Sequence, residues 1–77
     1  MQLTFTAIYE EVPQSEGGGY LAYAEELPAA ITEGDTLEKA RENLRDAIEQ
    51  LLEANRTLTG EKLSGHRVVR EKISVSA

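Results

Sequence analysis

The side chains in this sequence best suited to chemistry are carboxylates. Asp and Glu supply 14 of the 77 residues. A metal-dependent nuclease needs several carboxylates converging on two metal ions at strand ends. Such a set would have to come from Glu10, Glu25, Glu26 and Asp35. Nothing in their spacing shows convergence, so we expect neither a nuclease site nor a bound metal.

Other catalytic combinations are weaker still. His66 is the single histidine and Cys is absent, which excludes disulfides and zinc sites built from thiolates or several imidazoles. Ser64 lies close to His66 in sequence, but hydrolase triads are assembled by the fold rather than by sequence neighbours. The four aromatic residues have no Lys or Arg nearby and are interpreted as core or interface residues rather than a base-stacking platform. We therefore expect no enzymatic activity and no cofactor.

The charge is distributed unevenly along the chain. The net charge is −6, yet residues 1–35 carry seven acids and no Lys or Arg, whereas residues 56–77 carry five bases against two acids. An acidic body repels nucleic acid, whose binding depends on phosphate neutralisation, and attracts a basic partner. No signal peptide or membrane span is recognisable in the sequence. A domain this small has a weak core, so we expect a homo-oligomer, a dimer or higher.

The first half of the sequence predicts strands. Polar and apolar residues alternate over residues 3–10 and the strand pattern returns over 19–24, which predicts an antiparallel hairpin. The Gly run at 17–19 would form its loop, because it lacks the spacing of a phosphate-binding loop. Pro28 disfavours helix at the preceding residue, and residues 29–33 are predicted as a short third strand.

The second half predicts a helix and a final strand. Asp35 as N-cap with Glu38 three residues later resembles a capping box, with Thr36 as the alternative cap, and Gly34 permits the turn before it. An apolar stripe from Leu37 predicts a helix from about residue 36 to about residue 56. A loop over 57–65 and a strand over 66–76 would follow. The resulting fold is α+β, a small mixed sheet in β-β-β-α-β order with one amphipathic helix on one face and the other face uncovered.

Three segments resemble the HicB-like antitoxin family. They are Gly-Gly-Tyr at 18–20, Glu-Leu-Pro at 26–28, and Thr-Glu-Gly-Asp-Thr-Leu-Glu-Lys-Ala-Arg-Glu-Asn at 32–43. The resemblance covers about residues 3–56. The sequence departs from the family pattern at Glu26, where Asp is common, at Ala29, where Gly is usual, and at Lys39, which replaces an acid.

The resemblance implies a partial RNase H-like fold and a bacterial or archaeal cytoplasmic protein. Such proteins neutralise a small basic RNA-cleaving HicA-type toxin by covering its active surface. Many family members add a C-terminal DNA-binding domain, whereas here we expect one domain over 1–77 and no direct binding of nucleic acid by this chain. The candidate partner contacts are the acids at strand ends and turns, Glu10, Glu11, Glu25 and Glu26. An orphan homo-oligomeric scaffold or small-ligand-binding domain without a toxin is the alternative.

Overall fold

The computed structural model describes residues 4–75 and contains one antiparallel sheet and one long helix. Strands β1 (Ala7–Glu11), β2 (Tyr20–Ala24) and β3 (Leu27–Gly34) follow one another in the sheet, and helix α1 (Leu37–Leu63) packs on one side of it. The α+β class predicted from the sequence is confirmed. The sheet is antiparallel throughout the described residues rather than mixed, because the strand predicted after the helix does not join it.

The predicted hairpin is present. β1 pairs with β2 from Ala7 opposite Ala24 to Glu11 opposite Tyr20. β1 starts later than predicted, and Leu3 of the predicted strand lies outside the described residues. The loop contains a short 3₁₀ turn (Gln14–Glu16), and the three glycines after it all have positive φ, which L side chains rarely adopt.

β3 is longer than predicted because it continues on both sides of an irregularity. Tyr23 pairs with Ile31, but the next residue, Ala24, pairs with Leu27, so three residues of β3 have no partner on β2. Pro28 lies within this bulged segment, where its missing N–H interrupts no ladder hydrogen bond.

The core between the sheet and α1 is built from small side chains. Its buried members are Ala22, Ala24, Ala30, Ala40 and Leu44. Half-buried residues surround this centre, among them Tyr9 and Tyr20 on the sheet and Ile48 on the helix. With alanine at the centre, the helix backbone can lie close to the strands, and larger apolar groups cover the rim.

Residues 34–43, which carry the sequence resemblance, bring the helix onto the sheet. A Cβ on Gly34 would lie 2.8 Å from the Cα of Ala40 and closer still to its backbone nitrogen. Gly34 does not have a positive φ, so the requirement for glycine comes from this close approach and not from the predicted turn. The side-chain amide of Asn43 donates to the backbone carbonyl of Glu33 (2.8 Å) and ties the second helical turn to β3.

The helix begins at the alternative cap. The Thr36 hydroxyl accepts a hydrogen bond from the Lys39 backbone N–H (3.1 Å), so Thr36, and not Asp35, is the N-cap. Lys39 occupies the position where a capping box would carry Glu or Gln, so the box is incomplete. Glu38 lies in the first turn, where its charge is favourable to the helix dipole.

The helix ends seven residues later than the predicted end near residue 56, at Leu63. Gly60 is inside the helix, and the Thr57 hydroxyl donates to the Glu53 carbonyl one turn earlier (3.1 Å). The second glycine, Gly65, has φ +81° and ends the helix. Although α1 has 27 residues, neither it nor any other helix in the described part of the chain is long and apolar enough to cross a membrane.

The predicted last strand is not formed within the described residues. Residues 67–75 have no regular secondary structure and are exposed, and Ser76, the end of the predicted strand, lies outside the described range. The prediction was wrong because an alternating pattern is typical of a strand, but a strand also requires a neighbour to hydrogen-bond with. In this chain the long helix ends beyond the sheet, so the described segment that follows it has no neighbouring strand.

Candidate functional site

The face of the sheet opposite α1 is uncovered in the described chain. Side chains alternate between the two faces of each strand, so the residues paired across the three strands form rows. The open face, as this surface is called below, consists of Ile8, Glu10, Leu21, Tyr23, Ile31 and Glu33. Its middle is apolar, with Tyr23 between Ile8 and Ile31. Towards one end, Leu21 lies between Glu10 and Glu33.

Tyr23 is held at the centre of the open face by a carboxylate. Its hydroxyl donates to Oε1 of Glu10 at 3.3 Å. Desolvation raises the pKa of Tyr23 above its ordinary value, and the negative charges of Glu10 and Glu25 raise it further. Tyr23 therefore remains a neutral hydrogen-bond donor across the physiological range, in an acidic setting.

The turn between β2 and β3 is tied to the start of β1. One carboxylate oxygen of Glu26 accepts from the Thr6 backbone N–H (2.7 Å), and the other accepts from the Thr6 hydroxyl (2.6 Å). The Glu25 backbone N–H donates to the Thr6 carbonyl (2.8 Å). The pKa of Glu26 is lowered below its ordinary value. The main cause is the hydrogen bond from the Thr6 hydroxyl, followed by the one from the Thr6 backbone N–H, because both favour the charged carboxylate.

The four acids predicted as partner contacts do not share one location. Glu10 is on the open face, whereas Glu11, one residue later, belongs to the opposite face of β1. Glu25 lies in the turn, close enough for its charge to act on Tyr23. Glu26 is in the same turn, but both of its carboxylate oxygens are engaged by Thr6. The structure thus brings Glu10 and Glu25 towards the same surface and gives Glu26 a structural role.

Glu33 was missed as a candidate contact. It lies opposite Leu21, on the other side from Glu10. The sequence offered one signal, because Glu33 lies two residues after Ile31 and alternation places both side chains on the same face of the strand. That spacing alone does not reveal which acids of other strands share the face, because this depends on the register.

The carboxylates considered for a nuclease site are also separated. Asp35 follows the end of β3 that pairs with Tyr20, whereas Glu25 and Glu26 lie past the other end of β2. A five-residue strand spans about 17 Å. Among residues 4–75, no group of three or more His, Asp or Glu side chains is arranged to hold a metal ion. Ser64 and His66 lie in the exposed turn that ends α1.

A groove lies on the helix side of the sheet, between β1 and α1. Its volume is about 580 Å³, and its floor and wall include Phe5, Tyr9, Ile48 and Leu52. Arg41, Arg45 and Glu49 of the helix also line it. The groove exists because α1 packs mainly over β2 and β3, which leaves the helix side of β1 partly uncovered.

Fold and surface together define a small α+β domain with an acidic open face on one side and a mixed apolar and basic groove on the other. The chain is 40% identical over 53 residues to a UPF0150 protein of Synechocystis sp., and the match covers 69% of each chain. The protein belongs to the UPF0150 family. No family model matches the chain, and no solved structure matches it significantly.

Proposed function

We propose that this protein is a HicB-like antitoxin that binds a small basic RNA-cleaving protein of the HicA type and covers its active surface. The proposal gives it a binding role and no catalytic one. The observation that carries it is the open face, where the carboxylates of Glu10 and Glu33, with Glu25 in the adjacent turn, lie around an apolar centre. The sequence resemblance of residues 18–43 to HicB-like antitoxins supports the same function.

The chemistry of the open face suits a surface that binds RNA phosphates. A ribonuclease presents Lys and Arg where the phosphates lie, and carboxylates on a rigid sheet can occupy those positions. Leu21, Ile31 and the Tyr23 ring supply the apolar contact that a stable interface needs at its centre. Ile31 is 53% exposed, so this contact area is available without rearrangement of the sheet.

The test is co-expression with the protein encoded by the adjacent small reading frame, if that protein is short and basic, followed by affinity purification and an RNA-cleavage assay. We expect a stable complex in which cleavage is suppressed. Free basic protein that cleaves RNA equally well with and without this chain would contradict the antitoxin function.

A charge-reversal pair then tests the surface. The double variant Glu25→Lys, Glu33→Lys alters the open face and the turn beside it, and leaves the Thr6–Glu26 hydrogen bonds in place. We expect association with the basic partner to slow by about tenfold or more at low salt and its dependence on salt to weaken. Stopped-flow fluorescence at several salt concentrations measures both.

The matched control is Asp46→Lys, Glu53→Lys. Both residues are exposed on α1, and the change in net charge is identical. We expect its association rate to stay within about twofold of the parent once long-range charge is screened by salt. Equal slowing in the two double variants would show that overall charge, and not the open face, governs binding.

A further inference from the structure

Tyr23 is the tyrosine that lies on the open face. Of the three tyrosines in the sequence, Tyr9 and Tyr20 pack against the buried core on the helix side of the sheet. Tyr23 is half-buried on the other side, where it pairs with Ile8 of β1. Its hydroxyl reaches diagonally to Glu10, two residues further along β1. The open face therefore joins an aromatic ring to a carboxylate.

The carboxylate beside the ring has an oxygen available to another molecule. Glu10 is exposed, and the hydrogen bond from Tyr23 engages its Oε1 at 3.3 Å. An ionised carboxylate accepts hydrogen bonds on both oxygens, so Oε2 can accept one from a donor outside the chain. Glu25 is exposed two residues after Tyr23, and its charge acts on the same tyrosine. Two negative charges thus lie beside one ring.

The segment that forms the sheet contains no cation to balance these charges. All three strands lie within residues 1–35, which carry no Lys or Arg. Arg41 and Arg45 of α1 line the groove on the opposite side of the sheet. Charge complementarity therefore favours a cation from a basic partner on the open face.

Arginine fits this combination of ring and carboxylate better than lysine does. Its guanidinium is planar, stacks on aromatic rings and donates parallel hydrogen bonds to a carboxylate. A guanidinium on the Tyr23 ring can therefore donate to Glu10 and keep its contact with the ring. The lysine ammonium is a compact, strongly hydrated charge that gains less from an aromatic surface. Ile8 and Ile31, on either side of Tyr23, offer apolar surface to the methylene groups of an arginine.

We propose that Tyr23, Glu10 and Glu25 form a binding site for an arginine side chain of the basic partner. The guanidinium stacks on the Tyr23 ring and donates to Oε2 of Glu10, while Glu25 adds favourable charge. The inference rests on the proposed function and specifies its contact chemistry, because it assigns an arginine of the ribonuclease to the centre of the interface. Tyr23 is the residue that sets the preference for arginine over lysine.

Two short peptides test this preference on the chain alone. The probes are acetyl-Gly-Arg-Gly-amide and acetyl-Gly-Lys-Gly-amide, titrated at low salt and followed by NMR of the tyrosine rings and the backbone amides. We expect saturable shifts at Tyr23, with an affinity for the arginine peptide about threefold or more above that for the lysine peptide. Tyr9 and Tyr20 serve as internal references and should shift much less. Equal affinities for the two peptides, or equal shifts of all three rings, would overturn the proposal.

Substitutions at Tyr23 separate the contribution of the ring from that of the charge. Tyr23→Leu removes the ring and should bring the ratio of the two peptide affinities to about one. Tyr23→Phe keeps the ring and should keep that ratio within about twofold of the parent. An unchanged ratio in Tyr23→Leu would contradict the proposal. Loss of the preference in Tyr23→Phe would contradict stacking even where Tyr23→Leu fails to fold.

A substitution at Glu10 tests the carboxylate. Glu10→Gln should weaken binding of the arginine peptide about threefold or more. The matched control is Glu53→Gln, which makes the same change in charge at an exposed position of α1 and should leave the affinity within about 1.5-fold of the parent. Equal weakening in the two variants would show that net charge governs binding and would overturn the site.

The bases that follow α1 are the alternative occupant of the site. The double variant Arg70→Gln, Lys72→Gln removes two of them, and Arg56→Gln, Lys62→Gln makes the same change in charge on the exposed end of α1. We expect the two double variants to bind the arginine peptide with the same affinity, within about twofold. Tighter binding by the first double variant alone would overturn the proposal, because the chain's own bases would then occupy the site.

The peptide titrations and the co-expression test can fail separately. Absence of an arginine preference together with suppressed RNA cleavage would overturn the arginine site and leave the antitoxin function standing. An arginine preference without suppressed cleavage would support the site and contradict the antitoxin function.

Discussion

The two halves of α1 have the same secondary structure and different environments. Residues 37–52 place Ala40 and Leu44 in the core and Ile48 at its rim. Residues 53–62 are exposed, and Leu58 is 63% open to solvent. The first half is held by burial against the sheet, and the second only by its own backbone hydrogen bonds and by continuation from the first half. Helical structure alone therefore does not reveal which part of this helix stabilises the fold.

The same contrast separates the chain as a whole into a packed part and an extended part. The radius of gyration is 16.2 Å, compared with about 11.5 Å expected for a compact domain of this length. The exposed end of α1 (residues 53–62) and the segment over residues 67–75 account for the excess. The packed part specifies the fold, and the extended part adds little burial to it.

Truncating one leucine in each half should give the largest difference. Among residues 4–75, Leu44 is the only large side chain that is buried. We expect Leu44→Ala to lower the free energy of unfolding by about 2 to 5 kcal/mol. Leu58→Ala should change it by about 0.5 kcal/mol or less, because the side chain is mostly in water. Urea denaturation followed by circular dichroism measures both. Similar losses in the two variants would mean that residues 53–62 of α1 are packed in solution.

Replacing glycine by alanine should lower the free energy of unfolding in the packed part and raise it in the extended part. Gly34→Ala forces a Cβ against the backbone of Ala40 and should cost about 1 to 3 kcal/mol. A Cβ on Gly60 meets no atom within 4 Å, so Gly60→Ala should stabilise the helix by about 0.5 to 1 kcal/mol. Thermal unfolding of the two variants alongside the parent measures the signs directly. A stabilised Gly34→Ala would refute the close approach of helix and sheet.

The smallest effect concerns the Thr6–Glu26 hydrogen bonds at the margin of the packed part. The pKa of Glu26 is lowered in the folded protein, so its carboxylate contributes stability above its unfolded pKa, and this contribution is lost as the pH falls through the folded value. Glu26→Gln should therefore be less stable than the parent near neutral pH, with the gap closing below about pH 4. Denaturant titrations at several pH values measure the gap.

Glu25→Gln provides the comparison for that experiment. It removes one charge from the same turn and leaves the hydrogen bonds of Thr6 to Glu26 intact. If Glu25→Gln and Glu26→Gln lower the free energy of unfolding by the same amount at every pH, net charge is responsible and the hydrogen bonds are not.

Local signals predicted the packed part of the fold well. Alternation placed β1 and β2, and the polar residues before Leu37 located the start of the helix within a residue. The helix end was wrong because residues 57–65, which contain Gly60 and Gly65, were predicted as a loop, whereas a glycine inside a helix costs only about 1 kcal/mol and can be accommodated. Gly65, with positive φ, was the actual stop. Local sequence cannot distinguish these two glycines, because the difference lies in backbone conformation.

The candidate site was predicted less completely, because it depends on register. Glu10 and Glu25 could be proposed from their positions at strand ends. Glu33 joins them only because Leu21 pairs with Glu10 on one side and with Glu33 on the other. The structural role of Glu26 depends on Thr6, 20 residues away in sequence. The predicted final strand shows the same limit, since its pattern was visible but its neighbour was not.

The alanine centre of the core has a consequence for how this protein tolerates change. Of the five buried residues in the described part of the chain, four end at Cβ, so truncation there has almost nothing to remove, and the harmful changes are additions. Mutational scanning of such a centre would give an inverted profile, in which glycine and serine survive better than valine or leucine. Engineering a more robust variant would accordingly leave the middle untouched and work at the periphery, where the large side chains already are.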